Sequence, residues 1–192
     1  HVCRRAIVNG FVRFFFFGRL EEEKGVLRII NAFKSLDADD QKRIGQIDFV
    51  GSGPRLTYYK DLSVDSGLPF KFHGTLPREG VHAIYRQSHV LLLPSTASEG
   101  FPKVIAEAMN YGCIPIVSDI SAIGYYIKNA QQGYLLNPIT VLELKKKIQD
   151  VLAITGTSYK QLLKQQRPIV EKFTFEHYNE QLKQFILKRF ET

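Results

Sequence analysis

The chain has 192 residues, of which 44% are hydrophobic and 23% charged, a composition typical of a globular protein with material for one well-packed domain. Its formal net charge of +7 favours partners that carry phosphates, whether nucleotide, nucleic acid or anionic membrane surface. Its two cysteines, Cys3 and Cys113, form no metal-ligand or redox spacing. We therefore expect a reducing, cytoplasmic setting.

The ends of the chain carry no sign of membrane insertion. The sequence begins at His1 and its only methionine is Met109, so it does not open on a translational start. The first residues lack the apolar core of a signal peptide. The aromatic run at residues 14–17 is too short to cross a bilayer. We expect no transmembrane segment.

Short apolar runs alternate with segments of helical period along the chain. The runs predict strands at residues 12–17, 47–50, 70–73, 90–93, 114–117 and 134–136. Apolar residues repeat at helical spacing between them, as in Val26, Ile29, Ile30 and Phe33, or Val81, Ile84 and Tyr85. This rhythm predicts an α/β, Rossmann-like parallel sheet with helices on both faces, forming a single domain over residues 1–192.

The chain changes character after Pro138. A basic helix is predicted at residues 142–152, another from about Tyr159, and an amphipathic one at Phe175–Phe190. The lysine run at 145–147 predicts a solvated helix face. A second use of this charge would be peripheral attachment to the inner face of a membrane.

The segment after the fourth strand is the most informative one. Pro102 occupies the position where the first residue of a helix is favoured, so a helix begins near the carboxyl end of a strand. Its unpaired amides would form an anion site. Lys103 in the first turn is unfavourable unless an anion lies nearby. The alternative is that Lys103 forms an exposed i, i+4 pair with Glu107, worth about 0.2–0.5 kcal/mol.

Two carboxylates flank this predicted anion site. Glu99 lies in the loop and Glu107 inside the helix, a spacing that suits two hydroxyl-rich parts of one ligand. Carboxylates accept hydrogen bonds from vicinal hydroxyls, as on a sugar or a ribose. The alternative for Glu99 is an ordinary loop acid or capping group.

A second charged cluster follows the first strand. Arg19 and Lys24 bracket an acidic run, and Gly18 and Gly25 allow close backbone approach. The two cations could clamp a diphosphate and stabilise the charge that develops as it leaves. Taken alone, the cluster is better explained as a solvated charged loop.

These motifs, in this order, resemble a known family. The motifs are Gly18-Arg19-Leu20 with Lys24-Gly25, then Gly51-Ser52-Gly53-Pro54, then Glu99-Gly100-Phe101-Pro102 with Glu107-Ala108-Met109. They are similar to the C-terminal, donor-binding domain of retaining GT-B glycosyltransferases of family four, the glycosyl transferases group 1 set. The resemblance runs from about Phe11 to Pro138, and the Glu-x7-Glu element is its most specific part.

The resemblance implies a transferase that uses a nucleoside diphosphate sugar. Arg19 and Lys24 would hold the diphosphate, Glu99 would contact the transferred sugar, and these three are the candidate catalytic residues. Glu107 would bind the nucleotide ribose. Further donor contacts are expected at Gly18, Gly51, Thr75, Gly100, Phe101, Pro102, Lys103 and Val104. The acceptor, a growing polysaccharide or lipid-linked saccharide, would bind an N-terminal domain that this chain lacks, so the chain alone would be an inactive half.

Some features depart from the family pattern. Relatives often carry Gly-Gly and a glutamate after the fifth strand, where this chain has Ser121, Ala122 and Tyr125, so no role is assigned to that loop. Two alternatives stay open: a nucleotide-sugar epimerase of the same fold, and a non-catalytic nucleotide-binding or assembly module. The Gly51-x-Gly53 pair lacks the third glycine of a dinucleotide fingerprint, which argues against a dehydrogenase.

Other sites are not expected. The five histidines form no ligand spacing, and the resemblance implies no metal, so we expect neither a metal nor a cofactor beyond the donor. His73 and His89 are interpreted as core or crevice-edge residues. The aromatic run at 14–17 fits a buried strand better than a base-stacking platform, so nucleic acid is not an expected partner.

Overall fold

The computed structural model describes residues 10–98 and 100–190. The strands, each formed where a continuous apolar run was predicted, are β1 (Val12–Phe17), β2 (Ile44–Val50), β3 (Phe70–Gly74), β4 (Val90–Leu93), β5 (Ile114–Ser118) and β6 (Tyr134–Leu136). β2 begins at Ile44, ahead of the predicted residue 47, because Ile44 pairs with Val12 although Gly45 and Gln46 interrupt the apolar run.

The α-helices occupy the segments between the strands and after the last one. They are α1 (Val26–Lys34), α2 (Ala38–Lys42), α3 (Leu56–Val64), α4 (Arg78–Gln87), α5 (Lys103–Asn110), α6 (Ile123–Tyr126), α7 (Val141–Leu152), α8 (Gly156–Lys172) and α9 (Phe175–Phe190). α8 begins ahead of the predicted Tyr159 because the Thr155 side chain accepts a hydrogen bond from the Ser158 amide and so caps the helix.

The strands form one parallel sheet in the order β3-β2-β1-β4-β5-β6. Every residue of β4 and β5 is buried, which requires cover on both faces of the sheet. α1 packs against α3 and α7, whereas α5 packs against α8. Parallel strands joined by right-handed crossovers place these two groups on opposite faces. The predicted Rossmann-like fold is confirmed.

The aromatic run lies at the centre of the core. Phe14, Phe15 and Phe16 of β1 are fully buried, and burial of each such ring contributes about 1.5–3 kcal/mol of transfer free energy. Phe14 meets Phe33 of α1 edge-on at a centroid distance of 5.0 Å. These rings therefore hold the sheet and its helices together, as the prediction of a buried strand requires.

The two strand-flanking histidines are structural residues. His73 of β3 lies 2.6 Å from Oδ1 of Asp48, a carboxylate fully buried in β2. His89 is buried, and its Nδ1 accepts a hydrogen bond from the Arg13 amide at 3.0 Å. Both contacts tie neighbouring strands together, which confirms the interpretation of these histidines as core or crevice-edge residues.

The lysine run of α7 is only in part the solvated face that its charge predicts. Lys147 is only 7% exposed, and its Nζ lies 3.2 Å from a carboxylate oxygen of Glu143. Lys145 is partly exposed and donates to the Ser35 carbonyl at 2.7 Å. The prediction is wrong for Lys147, because a lysine can bury its aliphatic stem while its ammonium contacts an acceptor. Of the three, Lys146 is exposed.

Helix α8 packs against α5 and is fixed by hydrogen bonds to residues that precede β5 and β6. The Gln166 amide donates to the carbonyls of Cys113 and Gln132 at 3.2 and 2.8 Å. The Tyr159 hydroxyl donates to the Gly112 carbonyl at 2.7 Å. In the part of the chain that the structure covers, none of the helices has the length and apolarity needed to cross a membrane.

Candidate functional site: a crevice at the switch point of the sheet

The strand order defines where a ligand crevice opens. β1 and β4 are neighbours, yet the chain runs outward from them in opposite directions, to β2 and β3 on one side and to β5 and β6 on the other. Loops that leave the carboxyl ends of such neighbours diverge to opposite faces and leave a crevice between them. The predicted site segments, 18–25 and 94–104, follow these two strands.

The loop after β1 carries the two predicted cations. Arg19 is 74% exposed at its side chain, and its guanidinium lies 2.6 Å from a Glu21 carboxylate oxygen. Lys24 ends a single 3-10 turn, Glu22–Lys24, and is partly exposed. Arg55 pairs with Glu22 at 2.8 Å and helps to fix this turn. The loop therefore has fixed carboxylates as well as cations, and an incoming diphosphate would compete with Glu21 for Arg19.

Backbone contacts join the loops at this edge of the sheet. The Thr96 amide, after β4, donates to the Glu23 carbonyl at 2.8 Å. Gly25 takes a left-handed φ of 81° at the start of α1, and a Cβ there would collide with the carbonyl of Pro94. The two sides of the crevice are thus in direct contact, which fixes the spacing between the cation loop and the loop that leads to α5.

Glycines also allow the loops after β1 and β2 to touch. A Cβ at Gly51, whose φ is 131°, would collide with the carbonyl oxygen of Gly18. The Gly18 amide donates to the Val50 carbonyl at 3.0 Å, and the Gly51 amide to the Gly74 carbonyl at 2.8 Å. Close approach of the Gly18 carbonyl is therefore the reason for glycine at position 51.

Helix α5 begins at the crevice, one residue later than predicted. Pro102 is the N-cap residue, with φ −62° and ψ 124°, and Lys103 is the first helical residue. Proline has no side-chain acceptor, so Pro102 cannot cap the first amides of α5. Lys103 is exposed and Val104 is partly buried. Predicted donor-binding residues 100–104 thus lie at a helix start where backbone N–H groups are available to an anion. Glu99 lies outside the described residues.

An aromatic cluster supports this helix start, and the sequence alone did not predict it. Phe101 stacks on Phe173, from the end of α8, at a centroid distance of 4.5 Å and an interplanar angle of 14°. Tyr126 meets Phe101 edge-on at 4.9 Å. The ring of Phe101 is therefore occupied by packing, so a role for this residue in ligand binding would rest on its backbone.

A cavity of about 520 Å³ lies beside α5. Phe17 at the end of β1, Leu76 after β3, Tyr85 of α4 and Glu107 of α5 all line it. Thr75, one of the predicted donor contacts, precedes Leu76 and is exposed. The structure therefore brings together the predicted carboxylate Glu107 and the loop after β3, with room for a nucleoside-sized ligand.

Glu107 has a partner that sequence analysis missed. The buried Tyr85 hydroxyl donates to Glu107 Oε2 at 2.9 Å. Burial, the charge of Glu107 and this hydrogen bond raise the pKa of Tyr85 well above its ordinary value of 10.0. The hydroxyl hence stays protonated and remains a donor across the physiological range.

The loop after β5, to which no role was assigned, contributes a second unpredicted contact. Ser121 takes a left-handed φ of 54°, which is uncommon for a residue with a Cβ. Its hydroxyl lies 2.7 Å from that of Ser98, next to Glu99. This pair links the loops after β4 and β5 beside the start of α5.

The described residues contain no group of three or more His, Cys, Asp or Glu side chains arranged to hold a metal ion. The crevice offers instead two cations, a helix start and a carboxylate beside a cavity. Such groups can bind an anion with hydroxyl-bearing parts attached on either side. The fold therefore defines a Rossmann-like domain with a crevice at the switch point of its sheet.

The family of this domain follows from its sequence. The family described as glycosyl transferases group 1 matches residues 5–168, most of the chain, and the chain belongs to that family. Among curated proteins, no significant sequence match is found.

Solved structures share the fold. Anabaena HepE, in complex with UDP, superposes with a TM-score of 0.77 at 21% identity over 93% of this chain and 49% of HepE. Sucrose-phosphate synthase from Thermosynechococcus elongatus gives a TM-score of 0.76 at 23% identity, over 95% of this chain and 47% of the synthase. The C-terminal domain of LpcC, a group 1 family protein from Francisella tularensis, gives a TM-score of 0.70 at 22% identity, over 84% of this chain and 85% of the LpcC domain.

The coverage shows which part of these proteins the chain corresponds to. It spans about half the length of HepE and of the synthase, but most of the isolated LpcC C-terminal domain. The expectation of a C-terminal-type half of a GT-B fold is confirmed.

Proposed function

We propose that this chain binds the donor for a retaining glycosyltransferase, which moves a sugar from a nucleoside diphosphate sugar to a saccharide or lipid-linked acceptor. The observation that supports the proposal is the topology of the sheet: the Arg19 and Lys24 loop and the loop that leads to α5 follow the two strands at the switch point, and Glu107 of α5 lines a cavity. The acceptor binds a second domain outside this chain, on the cytoplasmic side of a membrane.

The cations and the helix start act on the diphosphate. As the bond between the anomeric carbon and the diphosphate oxygen breaks, its electron pair and negative charge pass to the diphosphate. Arg19 exchanges its Glu21 partner for the more highly charged ligand, and Lys24 and the α5 amides complete the anion site. These groups supply the charge stabilisation that a divalent metal would otherwise give, so the reaction needs no metal.

The carboxylates act on hydroxyl groups at either end of the donor. Glu107 binds the ribose within the cavity beside α5. Glu99 orients the transferred sugar. The presence of UDP in the HepE structure supports this class of donor, since the two chains share the fold.

Calorimetric titration of the chain with UDP, GDP and ADP, and with the matching nucleosides, tests the proposal. Arg19→Ala should weaken diphosphate binding by about tenfold, because a charge-assisted contact worth about 1.5 kcal/mol is lost. It should leave nucleoside binding unchanged. Glu107→Ala should weaken both ligands, because both carry the ribose.

Arg167→Ala is the matched control. Arg167 forms an exposed ion pair with Glu171 of the same helix, α8, at 2.9 Å, and its side chain is 81% exposed, so its loss removes equal charge without touching the crevice. Equal affinities in the wild type and in all three variants would remove the proposed site.

A further inference from the structure

The hydrogen bond between Tyr85 and Glu107 joins two helices at the edge of the cavity. Tyr85 lies on α4, and its hydroxyl donates to Glu107 Oε2 on α5 at 2.9 Å. Both residues line the same cavity. Tyr85 is 1% exposed, whereas Glu107 is exposed. One end of this contact is thus fixed in the core while the other is open to a ligand.

The ring of Tyr85 is held on several sides. Phe15 of β1 meets it edge-on at a centroid distance of 5.3 Å, and Tyr111 stacks on it at 5.3 Å with an interplanar angle of 27°. Its backbone carbonyl accepts from the buried Cys113 thiol at 3.6 Å. A ring packed in this way has one orientation, so its hydroxyl is a fixed point.

A glutamate on an exposed helix face is otherwise mobile. Its side chain samples many rotamers, and ordering it on binding costs about 1–1.5 kcal/mol in lost conformational entropy. A donor fixed to one carboxylate oxygen removes much of that freedom in advance. It leaves Oε1, the second oxygen, to accept from a ligand hydroxyl.

We propose that Tyr85 is a positioning residue, which holds the Glu107 carboxylate in the orientation that accepts the ribose hydroxyls of the donor nucleotide. This inference rests on the proposed function. Tyr85 acts through Glu107 and not on the ligand itself, so its loss should affect only the part of the affinity that depends on ribose hydroxyls.

The test compares ribonucleotides with their 2′-deoxy counterparts. UDP, GDP and ADP, each beside its 2′-deoxy form, are titrated into the wild type and into Tyr85→Phe, a change that removes one oxygen and keeps the packed ring. The wild type should prefer the ribonucleotide, and Tyr85→Phe should reduce that ratio by about fivefold, because the Glu107 side chain must then lose its conformational freedom on binding. Deoxynucleotide affinity should fall by less than ribonucleotide affinity, because a 2′-deoxy ligand offers Glu107 only its 3′-hydroxyl.

Tyr59→Phe is the matched control. Tyr59 of α3 is also 1% exposed, and its hydroxyl has no hydrogen-bond partner among the described residues. Its removal should leave the ribose preference at the wild-type value. The ratio is insensitive to partial misfolding, because both nucleotides bind only the folded fraction of the same sample.

A double variant tests whether Tyr85 acts through Glu107. Tyr85→Phe added to Glu107→Ala should change the ribose preference no further than Glu107→Ala alone. The inference would be overturned if the wild type preferred the ribonucleotide and Tyr85→Phe showed the same ratio of ribonucleotide to deoxynucleotide affinity. The proposed function would then still stand. A wild type that binds none of the nucleotides would overturn the proposed function, and the inference with it.

Discussion

At the residue scale, the contact between Gly51 and Gly18 tolerates no side chain. A methyl group at Gly51 would collide with the Gly18 carbonyl oxygen, and φ is 131°. We expect Gly51→Ala to lower the free energy of unfolding by about 2 kcal/mol or more, because it combines backbone strain with a steric clash. Urea denaturation followed by circular dichroism measures this change.

Gly156 provides the comparison for that substitution. It is the first residue of α8, and a Cβ there would meet nothing within 4 Å. Gly156→Ala should alter stability by no more than about 0.5 kcal/mol. Equal effects at both glycines would show that the close approach of the loops after β1 and β2 is not what requires glycine at position 51.

Single residues also show where prediction from sequence succeeds and where it stops. Glu107 could be predicted because it belongs to a motif of fixed local spacing. Its partner Tyr85 could not, since the two lie 22 positions apart and Tyr85 fits the apolar stripe of α4 like any core residue. The left-handed backbone of Ser121 is likewise a tertiary feature, because it depends on how the loop after β5 meets Ser98.

At the element scale, buried hydrogen bonds fix α8 against the sheet. The Gln166 amide nitrogen donates to the carbonyls of Cys113 and Gln132, whereas its Oε1 has no partner among the described residues. We expect Gln166→Leu to lower stability by about 1–3 kcal/mol, because one buried and one partly buried carbonyl lose a donor. Thermal unfolding of the variant measures the loss.

The same substitution at Gln161 is the control for this prediction. Gln161 lies on α8 but is exposed, so Gln161→Leu should change stability by less than about 0.5 kcal/mol. If both leucine variants were as stable as the wild type, the position of α8 would depend on its apolar contacts alone.

The elements themselves could be predicted because of how a parallel sheet is buried. β4 and β5 are covered on both faces and are nearly continuous apolar runs, whereas β3 alternates phenylalanine with lysine and histidine and is only partly buried. The ends of the elements were harder to predict from the sequence, because Ile44 joins β2 only through its pairing with Val12. Lys147 was placed on a solvated face for a similar reason, since its burial depends on packing that a charge run does not encode.

At the scale of the whole molecule, three tyrosines link stability to alkaline pH. Burial is the main cause that raises the pKa of Tyr59, of Tyr85 and of Tyr134 above the ordinary value of 10.0. Below pH 10 these hydroxyls are protonated in both the folded and the unfolded chain. Above it the unfolded chain ionises while the folded chain does not, so the unfolded state is favoured as pH rises.

Stability should therefore be level up to about pH 10 and fall beyond it, by up to about 1.4 kcal/mol per pH unit for each such tyrosine. Urea denaturation at intervals from pH 8 to pH 11 measures the slope. Tyr85→Phe should make the loss of stability with pH less steep, by the contribution of one tyrosine. Tyr125→Phe, at a side chain that is 76% exposed, should leave it unchanged. An identical alkaline slope in the wild type and in Tyr85→Phe would mean that the Tyr85 hydroxyl ionises as readily in the folded chain as in the unfolded one.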